Sequence, residues 1–328
     1  MPSAAPDPAS RARFTADLDA LLALAGLAAD APIGIALSGG PDSVALLLLA
    51  AGGTAGPVKA MTVDHGLRPD SAEEAIAAGA VAAAIGVPHA IRRVSVAPAG
   101  DGVQGEARRA RYAALDEWAV AEGLAAILTA HHADDQAETM LMRLARGAGL
   151  SGLSGIRPAR PLVPDSPVHL LRPLLGWRKA ELEAIVAAAG IVPARDPSNA
   201  NPRFGRTAAR AVLAGADWLD PARLAAVADH LRDADAALEA TTDAFYATAV
   251  AIDGEHASLR PDAPREILRR ALKRLFRVHF GARTDGPGLA RLMAVLAAGG
   301  TATLADIKAE GGPLWRFRRA PPRRLPHR

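Results

Sequence analysis

Ile33-Gly34-Ile35-Ala36-Leu37-Ser38-Gly39-Gly40-Pro41-Asp42-Ser43-Val44-Ala45-Leu46 reads as a strand that breaks on two glycines and restarts as a helix. Glycines let backbone N–H groups approach an anion closely and tolerate positive φ. Pro41 is pre-set for a first helical turn, whose free N–H groups and positive dipole end attract phosphate. The stretch lacks the lysine and the spacing of a G-x-x-x-x-G-K-[ST] loop. In its place stands Asp42, which suits a phosphate site if a divalent cation bridges the carboxylate to the phosphates. An ordinary Ser-Gly-Gly turn capped by Asp42 or Ser43 is the plainer alternative.

Outward from this turn the pattern alternates. Phe14 to Ala29 has helical apolar spacing, and Val58 to Val63, Ala90 to Val96 and Leu124 to Ala130 read as further strands. Ala72 to Ile85 and Gly105 to Ala121 read as the helices between them. Such alternation predicts an α/β fold with a parallel sheet, and ligands then bind beyond the carboxyl ends of the strands. Those ends are Ser38-Gly39-Gly40, Asp64-His65 and His131-His132. From Ile156 to Pro173 repeated prolines predict an irregular crossover with at most a short strand at His169 to Leu171, before a helix from Lys179 to Ala189. The rhythm stops near Gly215. Pro221 to Ala251 and Arg265 to Val278 read as helices, with a closing hairpin within Thr301 to Arg319. The expected division is therefore an amino-terminal helix (1–30), a catalytic domain (31–215) and a mostly helical, basic domain (216–328).

The 328 residues suffice for two domains. Although 50% of them are hydrophobic, the densest run, Val44 to Ala51, is far too short to span a bilayer, so no membrane is expected. No secretory signal is visible at the start. Zero cysteines exclude disulfides, thiolate metal sites and cysteine nucleophiles, in keeping with a cytoplasmic protein. Net charge is only +3, yet arginines cluster at 108–111, 265–277 and 316–328. Such clusters favour phosphate backbones, or simply solvate exposed helices.

His131-His132-Ala133-Asp134-Asp135-Gln136-Ala137-Glu138-Thr139 is the second polar concentration. Asp135 and Glu138 have capping-box spacing, but a cap needs neither the paired histidines nor Asp134. Adjacent His and Asp also allow a metal-hydrolase reading. The G-x-G-x-x-G at Gly147, Gly149 and Gly152 follows a helix rather than a strand and reads as a connection.

Ser38 to Ser43 resembles the pyrophosphate loop of the ATP-pyrophosphatase (PP-loop) superfamily. Val63 to Arg68, Ala107 to Tyr112, Ala130 to Thr139, Arg172 to Leu175 and Asp196 to Asn199 then occur in the order that resembles the tRNA(Ile)-lysidine synthetase family. The resemblance covers about residues 31–212. It implies a doubly wound parallel sheet of the adenine nucleotide α-hydrolase type, with a tRNA-recognising extension. Arg206-Thr207-Ala208-Ala209-Arg210 departs from the family pattern Arg-Asn-x-x-Arg.

The implied reaction uses ATP, Mg²⁺, L-lysine and an isoleucine tRNA with a CAU anticodon. The wobble cytidine becomes lysidine by adenylation at O2 and attack of the lysine ε-amine. The resemblance makes Ser38, Gly39, Gly40, Pro41, Asp42, Ser43, Asp64 and His65 the ATP-binding residues, with Asp42 on Mg²⁺. It makes Asp42, Arg111, His132 and Asp135 catalytic, and sets Asp135, Glu138 and Arg206 around the substrate lysine. Trp177, Phe204 or Trp315 is available to stack the splayed base, though each also suits a core. The competing readings are a PP-loop enzyme with another acceptor, a metal-dependent hydrolase, and a non-catalytic nucleotide-sensing or RNA-binding module.

Overall fold

The computed structural model describes residues 5–66, 71–95, 102–194 and 205–321. Leu67, Arg68, Asp196 to Asn199, Phe204 and the end of the basic carboxyl-terminal run lie outside the described residues. Two compact units divide the chain, Met1–Arg232 and Asp233–Arg328.

The first unit begins with α1 (Pro8–Leu24), β1 (Ile33–Ala36), α2 (Pro41–Gly53), β2 (Val58–Asp64), α3 (Ser71–Ile85), β3 (His89–Arg93) and α4 (Gly102–Ala121). It continues with β4 (Ala126–Leu128), α5 (Ala133–Leu144), the single turn α6 (Leu150–Leu153), β5 (Ala159–Pro161), β6 (His169–Leu171), α7 (Lys179–Ala188) and α8 (Gly205–Ala214). Helix α9 (Pro221–Ala249) runs on into the second unit. Asp7 starts α1 by accepting from the N–H groups of Ala9 and Ser10, both at 3.0 Å, with Pro8 at the first helical position.

The sheet order is β3-β2-β1-β4-β6-β5, parallel throughout except for β5. From β1 the chain winds outward through β2 and β3, then returns to β1's other side with β4. Strand order therefore reverses between β1 and β4, and the crevice at their carboxyl ends is where a ligand fits. Alternate strand residues face two cores. Ile33, Ile35, Ala126, Leu128 and Leu171 meet α1, α2 and α7, whereas Met61, Ile127 and Leu170 meet Tyr112, Leu115 and Trp118 of α4. Every residue from Val44 to Ala50 is buried, so the apolar run noted in the sequence is an all-round core helix.

Gly34 explains how α4 comes so close. A Cβ there would lie 2.6 Å from Ile127 Cδ1, 2.7 Å from Trp118 Cζ3 and 2.9 Å from Leu124 Cδ1. Gly34→Ala is expected to destabilise the protein by about 1–3 kcal/mol, read as a lower denaturation midpoint.

The prolines of 156–173 do not exclude β5. Pro161 pairs with His169 on the outer edge of the sheet, where a missing N–H leaves no ladder bond unmade.

The second unit adds to its helices a sheet larger than the expected closing hairpin. The end of α9 is followed by β7 (Val250–Asp253), β8 (His256–Leu259), α10 (Arg265–Val278), α11 (Gly286–Ala297), β9 (Thr301–Leu304), β10 (Ile307–Glu310) and β11 (Trp315–Arg319). The five strands form one antiparallel sheet, β7-β8-β11-β10-β9. Its inner residues Ala257, Leu259, Ile307, Ala309, Trp315 and Phe317 pack on Leu272, Phe276 and Leu292 of the helices. Each strand has only four or five residues, too short to show clear alternation. Trp315 is therefore a core residue. The arginines of α10 are largely neutralised within the unit. Arg270 is buried and bonds Asp235 (2.6 Å), Glu239 (2.7 Å) and Glu266 (2.9 Å), and Arg274 pairs with Glu239 and Asp243.

Candidate active site

Between β1 and α2 the chain makes the strand-to-helix glycine turn expected of its sequence. Gly39 takes φ +81°, a conformation strained for any side chain, and its carbonyl accepts from Ala194 N–H at 3.0 Å. Gly40 is the N-cap of α2 and supplies no capping side chain. The N–H groups of the first turn are thus left facing outward, where the dipole favours negative charge. Ser43 closes the loop: its hydroxyl accepts from Ser38 N–H (3.2 Å) and the Ser38 hydroxyl (3.0 Å) and donates to Gly40 O (2.9 Å).

At the end of β4 the chain enters α5 through His132. Its Nε2 stands 3.7 Å from Asp42 Oδ2 and 3.6 Å from Asp135 Oδ2, and its Nδ1 is 3.6 Å from Asp134 Oδ2. Burial opposes a charge on this ring, but bonding to Asp134 and Asp42 and the charges of Asp135 and Asp42 outweigh it, raising the pKa to about 10. At neutral pH His132 is therefore a cation among three carboxylates. Asp135 also accepts from the His132 N–H at 3.2 Å, so the cap pairs Asp135 with His132 rather than with Glu138.

Asp134 has a structural explanation that the sequence did not suggest. It accepts from Lys179 N–H at 2.8 Å and from Arg178 Nε at 3.4 Å, capping α7 from outside. Trp177, buried at 1% exposure, lies under α1, donates to Asp17 Oδ2 at 2.8 Å and has the Arg13 guanidinium 4.1 Å above its ring. Its carbonyl accepts from Ala133 N–H at 2.8 Å. Trp177 is thus a brace for the starts of α5 and α7, not a base platform.

One cavity of about 640 Å³ lies over the switch point. Ser38, Gly40, Pro41, Asp42, Ser43, Arg111, Asp135 and Arg206 all line it, so the phosphate turn and the α5 acid share one space. Gly39 is buried beneath the turn. His132 and Glu138 stand behind the wall: Glu138 is 4% exposed, accepts from Arg210 Nε at 2.5 Å and has Arg206 Nε at 3.8 Å. Asp64 and His65 also lie outside the lining. Asp64 accepts from Gly66 N–H at 2.8 Å and faces Arg93 at 3.8 Å, forming the turn after β2. Burial, with the nearby Arg111 charge, holds the pKa of His65 down.

Sequence reasoning did not single out Glu74, Lys179 and Glu183, which also line this cavity. They come from α3 and α7, and no local pattern marks them. It likewise missed a second cavity of about 600 Å³ that shares Arg108, His131 and Arg206 with the first. Arg143, Arg146, Arg157, Arg160 and Arg172 join these, and among the described residues no acid lines it. Arg172 is 4% exposed; burial, together with the charges of Arg160 and Arg108, lowers its pKa to about 10 despite the opposing influence of Tyr112. So many cations around one cavity, with no acid among its described lining, favour a polyanion there.

His131, at the junction, bonds Thr129 Oγ1 through Nδ1 at 3.0 Å. Burial first, then Arg172, Arg111 and Arg108, push its pKa well below the ordinary histidine value, so the ring is neutral. The unfolded chain binds this proton more readily. Each pH unit below about 6.5 is thus expected to cost up to about 1.4 kcal/mol of stability until the folded pKa is reached. His131→Asn should narrow the gap between denaturation free energies measured at neutral and acid pH; an unaltered gap would contradict the neutral ring.

An uncapped glycine turn at the switch point of a doubly wound sheet is an arrangement suited to a phosphate-bearing ligand. The PP-loop domain family matches residues 12–216. The tRNA(Ile)-lysidine synthase of Novosphingobium aromaticivorans is 44% identical over 298 residues, covering 90% of each chain. That of Zymomonas mobilis is 42% identical over 295 residues, covering 89% of each. The chain belongs to the tRNA(Ile)-lysidine synthase family, whose members are ATP-using, tRNA-modifying ligases. In fold it is similar to the U34-tRNA thiolase NcsA of Methanococcus maripaludis (TM-score 0.56, 14% identity, 69% of this chain and 79% of that one). That enzyme was solved with a [4Fe-4S] cluster, for which a chain with zero cysteines offers no thiolates. No described helix is long and apolar enough to cross a membrane. Among the described residues no group of three or more His, Asp or Glu side chains is arranged to hold a metal ion by itself.

Proposed function

We propose that this enzyme converts the wobble cytidine in the CAU anticodon of an isoleucine tRNA into lysidine, in the cytoplasm. The observation that carries the reading is the shared cavity: Asp42 and Asp135 line the same space, and that space meets the arginine-lined one at Arg108, His131 and Arg206. ATP sits on the α2 turn, and the RNA strand lies along the arginines with its cytosine turned out of the stack. The cytosine O2 attacks the α-phosphorus, the bond to the β-phosphate oxygen breaks, and pyrophosphate leaves with the electron pair. The lysine ε-amine then attacks C2 and expels AMP.

An amine of pKa near 10.4 is neutral in only about one molecule in 2,500 at pH 7, a handicap of roughly 4.6 kcal/mol. A carboxylate or imidazole must therefore hold the ammonium and take its proton. Asp135 lines the cavity and fills that role, while Glu138 acts from behind through Arg206 and Arg210. His132, already protonated, contributes fixed positive charge between Asp42 and Asp135. Arg111 and Arg206 stabilise charge on the adenylated intermediate.

Mg²⁺ fits at Asp42. Its Oδ1 is buried with no hydrogen-bond partner among the described residues, while Oδ2 faces His132. One carboxylate oxygen plus phosphates and water is the ligand set this ion accepts. There it would neutralise triphosphate charge that Asp42 otherwise repels.

Incubation with ATP, labelled L-lysine and an isoleucine tRNA transcript is the test. Label is expected in RNA only when ATP is present, with AMP and pyrophosphate formed in equal amounts. RNA left unlabelled, or labelled without ATP, overturns the proposal.

A further inference from the structure

The phosphate turn has no lysine of its own, and Asp42 adds negative charge where a triphosphate is to sit. The cavity supplies its cations unevenly. Arg108 and Arg111 reach it from α4, whose Tyr112, Leu115 and Trp118 cover one face of the sheet. Arg206 comes from α8 and stands 3.9 Å from Asp135 and 3.8 Å from Glu138. On the opposite face α2 and α7 pack side by side, their buried residues in one core. Lys179, the first residue of α7, lines the cavity there. Among the described lining residues it is the only lysine, and the only cation from a helix packed against the phosphate-binding helix α2.

The backbone of Lys179 is fixed independently of its side chain. Its N–H is held by Asp134 at 2.8 Å, and Arg178 N–H by Glu181 at 2.7 Å. The side chain is half exposed, and its Nζ is 3.6 Å from Glu183, which lines the same cavity. An ammonium anchored at its root and held loosely at its tip is suited to exchange a carboxylate for a phosphate oxygen.

We infer that Lys179 is the cation that contacts the β and γ phosphates of ATP and stays with them as the departing pyrophosphate. This rests on the ATP-dependent reading above, in which the bond between the α-phosphorus and the β-phosphate oxygen breaks. Lys179 faces the leaving group, while the α4 arginines face the adenylate. Glu183 keeps the ammonium aimed into the cavity between turnovers.

The test is equilibrium binding of ATP, inorganic pyrophosphate and AMP, each with Mg²⁺, to the full-length protein and to Lys179→Ala and Lys179→Arg. Lys179→Ala keeps the N–H that Asp134 holds and a good helix former at the start of α7. It is expected to weaken ATP and pyrophosphate binding about tenfold or more while leaving AMP within about twofold, and Lys179→Arg should restore most of the loss. AMP binding doubles as the check on folding. Unchanged ATP and pyrophosphate affinity, or an equal loss for AMP, would overturn the assignment. No RNA or lysine enters these measurements. A wild-type protein that binds ATP but fails to label tRNA would sink the proposed function while leaving the ATP-against-AMP contrast to judge Lys179.

Discussion

Asp42→Asn is expected to lower ATP–pyrophosphate exchange by about three orders of magnitude while tRNA binding and the unfolding midpoint stay near those of the wild type. The substitution is close to isosteric and leaves the turn alone, since Ser43 and not Asp42 makes its closing bonds. What it removes is charge. A neutral amide oxygen holds a hard cation far more weakly than a carboxylate does, and the His132 cation loses one of its three carboxylates. Exchange retained at the wild-type level would take Asp42 out of the chemistry. Loss of exchange together with loss of tRNA binding would mean that the turn itself had been disturbed.

Asp135→Asn should act on the other substrate. Losing a charge-assisted bond worth about 1.5–3 kcal/mol predicts a lysine KM raised about 10- to 150-fold, with the ATP KM little changed. Glu138→Gln provides the contrast. Its carboxylate lies behind the cavity wall with Arg210 and Arg206 on it, so the variant should lose about 1–3 kcal/mol of stability and show a smaller rise in lysine KM, transmitted through Arg206. Lysine dependence unchanged in both variants would remove these acids from the amine site.

The first half of the chain was legible because its signals are local. Two glycines, a proline and an apolar run fix β1, the turn and α2, and the βα alternation puts the strand ends on one edge. Ser38 to Ser43, Asp135, Arg111 and Arg206 come together for that reason. Residues whose position depends on packing between distant elements were not legible. Lys179, Glu183 and Glu74 enter the cavity from helices that carry no motif. The arginines from 143 to 172 are scattered among glycines and prolines and form a cluster only after folding. Asp134 stood out as chemically suspicious because the helix it caps begins 45 residues later. Of the second-unit sheet only the closing hairpin within Thr301 to Arg319 was legible, and two features hid the rest. Asp253-Gly254, where β7 ends and turns toward β8, is a hairpin signal not used in the sequence reading, with Gly254 at φ +56°. Ala305 and Asp306, between β9 and β10, take positive φ without any glycine to announce it.

The brace at Trp177 has a practical bearing on how this enzyme can be shortened. A chain begun at β1 keeps every side chain assigned to ATP, lysine or RNA, yet it lacks the helix that supplies Asp17 and Arg13 to the indole. Trp177 would then be half bare, and the Ala133 N–H it receives and the neighbouring start of α7 would lose their common anchor. Such a truncation also strips Phe14, Leu18 and Leu22 from the core, so it should lose stability as well as leave Asp135 and Lys179 out of step. The leading helix is part of the alignment of the active site, not an expendable leader to it.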